Sequence, residues 1–433
     1  MADIFLKKTV RHFLSLLGIG GKKKFSPEPN VNSKLFFVFA FFSEFLFIYS
    51  FYITYFNKHG FHADQLAFLI IIMNVSKMLF DLPAGIFADL VSRRNLIMFG
   101  LVAKAIFCGL CFSFDNYHCL LAAMAFYGVG NSCIYYHTEA YIFDNFKIQN
   151  KENKYPQFMG AYYAIGNIAI AVAAFTGDII FKIMGFKGVF AASICSLFVA
   201  SIVLMRLPNY KVNERVSNVF NVKNAKNITT LFKRLIKKPN IVRLMIFAII
   251  LDAMFIVMID MNTSLMNALN MSTSGVSQIV GAVGLIRVAT NYFSGYAVRF
   301  MTFKRVHSFL LLLMLASIFL SLRSGYYLVG IISAYLCVYP FFDMSIKTKI
   351  QNCIDSSTRA TILSFASIGA SVFAIAMNSF VGIISTNYGY TTTPFAIALL
   401  IIALLLVVRN LTMFYRVDKN IRKIVHRKKT KLA

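Results

Sequence analysis

The stretch Gln65-Leu-Ala-Phe-Leu-Ile-Ile-Ile-Met-Asn74-Val-Ser-Lys77-Met-Leu-Phe-Asp81-Leu-Pro-Ala-Gly85-Ile-Phe-Ala-Asp89-Leu-Val-Ser-Arg93-Arg94 decides the architecture. Its apolar part exceeds what a buried helix of a soluble protein needs and lacks the alternation of a strand. About 20 apolar residues cross a ~30 Å hydrocarbon core. Inside that core a helix satisfies its own backbone. The segment therefore reads as a membrane-crossing helix that ends at an aqueous face, where Asp89, Arg93 and Arg94 stand.

The rest of the chain repeats this pattern. It has 433 residues, of which 58% are apolar and 14% charged, against roughly 25% charged in a soluble domain. That composition excludes a water-soluble globule and a disordered chain. Twelve apolar runs occur, at 35–56, 65–88, 95–114, 118–143, 157–181, 186–205, 241–268, 274–298, 306–322, 326–346, 361–384 and 392–411. The expected fold is an all-α polytopic membrane protein, with twelve transmembrane helices in two pseudo-symmetric six-helix bundles. Residues 1–34 read as a basic amphipathic tail lying on the membrane or as a mobile basic tail. Residues 35–206 form the first bundle, 207–240 a basic linker, 241–411 the second bundle and 412–433 a basic tail.

The net charge of +27 resembles that of a nucleic-acid binder, but its placement argues against one. The basic residues fall in short segments between apolar runs, with no room for a nucleic-acid-binding fold. If both termini are cytoplasmic, 37 of the 44 Lys and Arg lie inside, 4 outside (Lys58, Lys182, Lys187, Arg323) and 3 within spans. The positive-inside bias then sets the orientation, and the inner basic rim meets anionic lipid. With no Trp in the chain, Tyr55, Tyr117, Tyr155, Tyr210, Tyr326, Tyr388 and Tyr390 are expected to supply the interfacial belt. Six of the seven Cys lie in or beside apolar runs, as small core residues do, and Cys353 falls in a loop. Met1 to Lys24 shows no small-residue cleavage site after an apolar core, so no cleavable signal is expected.

The two halves echo each other. Gly85 corresponds to Gly295, Asp89 to Arg299, and Arg93-Arg94 to Lys304-Arg305. Glu44 corresponds to Asp252, Glu139 to Asp343, and Ala164-Ile165-Gly166 to Ser367-Ile368-Gly369. Related halves of this kind enclose a midplane site in transporters.

The run Gly85-Ile-Phe-Ala-Asp89-Leu-Val-Ser-Arg93-Arg94 resembles the loop 2–3 signature of the major facilitator superfamily, in its expected topological place. Glu139-Ala-Tyr-Ile-Phe-Asp144 and Arg359-Ala-Thr-Ile-Leu-Ser364 continue the resemblance, which covers 35–411 and is of a bacterial, drug-exporter-like kind. It implies that Asp81, Gly85, Asp89, Arg93, Arg94 and Asp144 form a cytoplasmic latch. It implies a second latch at Gly295, Arg299, Lys304 and Arg305. It also implies that spans 1, 4, 7 and 10 line the cavity. The Gly-rich motif of proton-driven exporters in span 5 is only partly present: Gly160, Gly166 and Gly177 occur without the closing Gly-Pro.

Charges inside spans cost roughly 2.5–3.5 kcal/mol each, so they are candidate working residues. Glu44, Glu139, Asp252, Asp260 and Asp343 are candidates for carrying protons. Lys77 and Asp81, four residues apart, share a helix face and read as an intrahelical pair. Lys104 is a structural partner of a carboxylate or a substrate contact. Arg287, with Asn291 one turn on, either answers Asp252 or Asp260 or holds an anionic substrate. His137 is a core histidine or a relay to Glu139.

No phosphate-binding loop, metal-spaced Cys/His set or Gly-x-Ser-x-Gly elbow occurs, so no enzyme activity is expected. The expected function is a monomeric, cofactor-free, proton-gradient-driven secondary transporter in the plasma or bacterial inner membrane. It would export a small amphipathic compound, cationic or zwitterionic. Proton-driven uptake of a nutrient is the alternative within the class, and a non-transporting membrane receptor the alternative outside it.

Overall fold

A computed structural model describes residues 33–90, 92–149, 151, 154–207, 239–297, 303–321, 325–353, 359–390 and 392–410. The described residues are helical throughout, apart from short connections, and include no strand. In order, the helices are α1 (Ser33–Glu44), α2 (Tyr52–Lys58), α3 (Ala63–Leu90), α4 (Arg93–Ser113), α5 (Tyr117–Ile148) and α6 (Tyr155–Arg206). The second half holds α7 (Pro239–Ala268), α8 (Thr273–Ala297), α9 (Phe303–Ser321), α10 (Gly325–Cys353), α11 (Arg359–Tyr388) and α12 (Thr393–Asn410). Helices α1 and α2 together make span 1. Helix α6 contains spans 5 and 6, folded at Gly185, whose φ of 65° and ψ of −160° few residues but glycine adopt. Among the described residues, seven helical stretches are long and apolar enough to cross a membrane, one of them the 50-residue Gln157–Arg206.

Each half has its own apolar core. The first is rich in phenylalanine, including Phe36, Phe39, Phe107, Phe146 and Phe190. The second is built from aliphatic residues and Met, around Leu251, Met254, Val257, Leu310 and Ile346. The packing of the halves corresponds. Span 2 lies on span 4 as span 8 lies on span 10, and span 3 on span 4 as span 9 on span 10. Between the halves, span 5 packs on span 8 and span 11 on span 2. A two-fold relation between the bundles exchanges these two contacts. One close approach depends on glycine: a Cβ on Gly128 of span 4 would stand 2.2 Å from the Met73 carbonyl oxygen of span 2.

Several expectations need correction. Span 1, read as one helix over 35–56, is broken. Phe45 and Leu46 are not helical, Leu46 is extended (φ −109°, ψ 107°), and a short 3₁₀ turn over Phe47–Ser50 leads into α2. Span 4 runs to Ile148, beyond the expected 143, and span 10 runs to Cys353, which ends a helix rather than sitting in a loop. Of the expected belt tyrosines, Tyr55 is 3% exposed and donates to Asp115 in the 3–4 connection, and Tyr117 donates to the Gln65 carbonyl near the start of span 2. The first tail up to 32, the linker over 208–238, the last tail, Arg299 and Tyr210 lie outside the described residues.

Candidate functional site

The break in span 1 follows directly after Glu44. Opening a helix inside a membrane frees backbone groups that must find partners, and span 6 supplies two. The Ser193 hydroxyl accepts from the Ile48 amide at 3.2 Å, and the Ser196 hydroxyl donates to the Phe42 carbonyl at 2.8 Å. Gly166 of span 5 makes room for the acid, since a Cβ there would stand 3.3 Å from the Glu44 Cγ. Beyond the break, the Tyr49 hydroxyl lies 3.2 Å from the Lys104 ammonium and within electrostatic reach of Glu44. Lys104 is 3% exposed, and its stem crosses span 4 at Gly130, where a Cβ would meet the Lys104 Cγ at 2.8 Å. Glu44, Tyr49 and Lys104 thus form one polar group beside the break, with Lys104 buried and the other two half-buried.

Asp260 of span 7 is 4% exposed and accepts from the Tyr52 hydroxyl of span 1. This bond crosses from one half to the other. Further inter-half bonds lie toward the face that carries the 1–2 loop. Asn267 donates to the Thr54 hydroxyl at 3.1 Å, Ser274 to Asp178, and Ser277 to the Ala174 carbonyl. Asp178 also holds Lys182 at 2.8 Å.

Two other expected acids have tyrosine partners. Tyr163 of span 5 donates to Glu139. Tyr339 of span 10 donates to Asp252 at 2.6 Å. The Tyr339 ring lies parallel to Phe255, with centroids 3.9 Å apart, and the Arg287 guanidinium sits 5.0 Å over the same Phe255 ring. Arg287 makes no ion pair with Asp252 or Asp260, and its Nε is buried without a hydrogen-bond partner. Asn291 donates to the Arg287 carbonyl at 2.8 Å, which ties the amide to its own helix. Asp343 lies within electrostatic reach of Tyr335 and Tyr339, in the same cluster as Asp252. The central acids of spans 1, 4, 7 and 10 are therefore set among tyrosines. These mid-span rings were not among the expected site residues. The signal for them in the sequence is a phenol placed mid-span, which has to find a partner for its hydroxyl.

At the loop 2–3 face, Ser92 caps span 3 by accepting from the Asn95 amide. The Arg94 Nη1 donates to the Met205 and Leu207 carbonyls (3.2 and 3.0 Å) at the end of span 6. Lys77 lies within electrostatic reach of Asp81, and Arg93 is the charge in reach of His137. Arg305 is exposed. The side-chain surroundings of Gly85, Asp89, Asp144, Gly295 and Lys304 lie outside the described residues. No cluster of three metal-ligating side chains occurs among the described residues.

On the opposite face, Asp115 in the 3–4 connection accepts from Tyr55 at 2.8 Å and lies 3.1 Å from the His59 ring. The Tyr55 hydroxyl holds its carboxyl below the usual carboxylate range. Partial burial opposes this, and His59 and Lys187 add to it.

Two related six-helix halves with charged side chains set along their central spans define a polytopic membrane carrier rather than an enzyme. The chain belongs to the major facilitator superfamily, whose family model matches residues 35–358. No curated protein matches it in sequence. Among solved structures it is similar to the nucleoside transporter NupG, with a TM-score of 0.67 at 12% identity over 87% of this chain and 99% of that one. It is also similar to a D-xylose-proton symporter, with a TM-score of 0.65 at 10% identity over 85% and 95%. A third is a bacterial homologue of the human lysosomal transporter Spinster, with 0.65 at 12% over 90% and 96%. At such identities the likeness concerns the fold.

Proposed function

We propose that this protein is a proton-coupled secondary transporter that works by alternating access and exports a small amphipathic compound, cationic or zwitterionic. The termini and the loop 2–3 face are assigned to the cytoplasm of a plasma or bacterial inner membrane, and the proton gradient supplies the energy. In that orientation the inter-half bonds of Tyr52, Thr54, Asp178 and Ala174 close the outer face.

The observation that carries this reading is the Tyr52–Asp260 bond. A hydrogen bond to an ionised acceptor is roughly twice as strong as a neutral one. When Asp260 takes a proton, the contact between the halves weakens. When it loses the proton, the contact tightens. Proton occupancy and closure of one face are then linked in both directions.

The test begins by comparing the metabolites of cells with and without the protein, to find a transported compound. Purified protein in proteoliposomes should then move that compound against its gradient when a pH gradient is imposed. A protonophore should abolish the accumulation. Accumulation that ignores the pH gradient would overturn proton coupling.

A further inference from the structure

We propose that Arg287, seated on Phe255 and flanked by Tyr339 and Tyr135, is the carboxylate end of the substrate site, so that the transported compound is a zwitterion and not a simple cation. This rests on the transporter reading above and narrows it. Four observations support the assignment.

First, Arg287 is a half-buried cation that forms no ion pair with an acid among the described residues. Its Nε is enclosed and has no hydrogen-bond partner, and three of the central acids are engaged by tyrosines. Asp252 accepts from Tyr339, Asp260 from Tyr52 and Glu139 from Tyr163. A guanidinium has five donors and is costly to bury unpaired. A site that retains one has a use for an anion that comes and goes.

Second, the guanidinium is held in a fixed attitude. It sits over the Phe255 ring, and Phe255 is itself stacked on Tyr339. Tyr339 is fixed in turn by its bond to Asp252. A guanidinium held over a ring keeps its donors at its edge, in the fork that matches a carboxylate.

Third, the surroundings are open to a ligand. Tyr135 sits in the middle of span 4, yet is 50% exposed. It lies within electrostatic reach of Arg287 and Tyr339 in the second half and Tyr163 in the first. Its exposed ring therefore faces the space between the halves.

Fourth, acids for an ammonium group are close by. Glu44 is within electrostatic reach of Arg287 from across the boundary, and Asp252 is joined to it through Tyr339 and Phe255. A compound with a carboxylate, an ammonium and a flat apolar body would match Arg287, the acids and the aromatic faces respectively.

The test is the thermal melt of the purified full-length protein with matched trios at millimolar concentration. One trio is phenethylamine, 3-phenylpropionate and phenylalanine. The other is tryptamine, indole-3-propionate and tryptophan. A ligand that binds the folded state alone raises the melting point by mass action. The proposal expects at least one carboxylate-bearing member to raise it by a few degrees and its amine-only counterpart to leave it unchanged. Arg287→Gln should abolish the shift. Arg287→Lys, which keeps the charge but not the fork, should need at least tenfold more ligand for the same shift. The proposal is overturned if the amines shift the melt as much as the amino acids, if Arg287→Gln or Arg287→Lys keeps the full response, or if no carboxylate acts. The melt reads binding whether or not transport occurs, so its failure is separate from failure of the accumulation assay.

Discussion

The Tyr52 hydroxyl donates to the Asp260 carboxylate across the boundary between the two halves, and both side chains are almost fully enclosed. Asn267 and Thr54 repeat the crossing nearer the 1–2 loop face. Closure of that face thus depends on specific polar pairs, and one of those pairs contains an acid. Tyr52→Phe removes the donor and keeps the ring. It should cost the closed form about 1.5–3 kcal/mol, the value of a hydrogen bond to a charged group. Thiol labelling of a cysteine placed at Thr263 should accelerate accordingly, by roughly 10-fold or more. An unchanged labelling rate would show that the contact does not hold the face shut.

Arg94 belongs to the predicted latch by its place in the sequence, but its guanidinium donates to the last carbonyls of span 6. Arg94→Ala should therefore lower stability, by up to about 1.5–3 kcal/mol, and Arg94→Lys should recover part of the loss. A variant with native melting behaviour and slowed cycling would instead assign Arg94 to the latch.

Much of the architecture was legible because it rests on apolar length and basic punctuation. The run ending at Asp89 and Arg93-Arg94 gives span 2, and the same pattern recurs along the chain. The break after Glu44 was not legible. Phe45-Leu46-Phe47 is as apolar as its neighbours, and the break depends on Ser193 and Ser196 of a helix distant in sequence. The acids stood out for a different reason, as charges where lipid penalises charge. Their partners did not, because a tyrosine hydroxyl carries no sign in a charge count.

Gly128 tests the packing on which this geometry depends. A methyl group there would stand 2.2 Å from the Met73 carbonyl oxygen, a backbone atom that cannot turn aside. Gly128→Ala should force spans 2 and 4 apart and destabilise the protein by about 1–3 kcal/mol or more. A melting point within a degree of the native value would contradict the close approach.

Asp115 gives a pH dependence with a definite sign. The Tyr55 hydroxyl holds its carboxyl below the ordinary value, against the effect of partial burial, with help from His59 and Lys187. The stabilising contribution is present above the unfolded pKa of about 3.9 and is lost as pH falls through the lower, folded one. Asp115→Asn should match the native protein in acid and be less stable at neutral pH, by a small amount since the group is largely exposed, so its acid limb is shallower. An acid limb identical to that of the native protein would remove the Tyr55–Asp115–His59 cluster from the account.

The central claim is that protonation of Asp260 loosens the contact between the halves. It can be measured without knowing the substrate, by following the distance between spin labels at Lys58 and Asn270 in lipid as pH is lowered. The account predicts that the separation grows on acidification in the native protein. In Asp260→Asn, a neutral stand-in for the protonated acid, it should already be large at neutral pH and insensitive to pH. A native separation that does not respond to pH, or an Asp260→Asn variant that remains closed and pH-responsive, would contradict it.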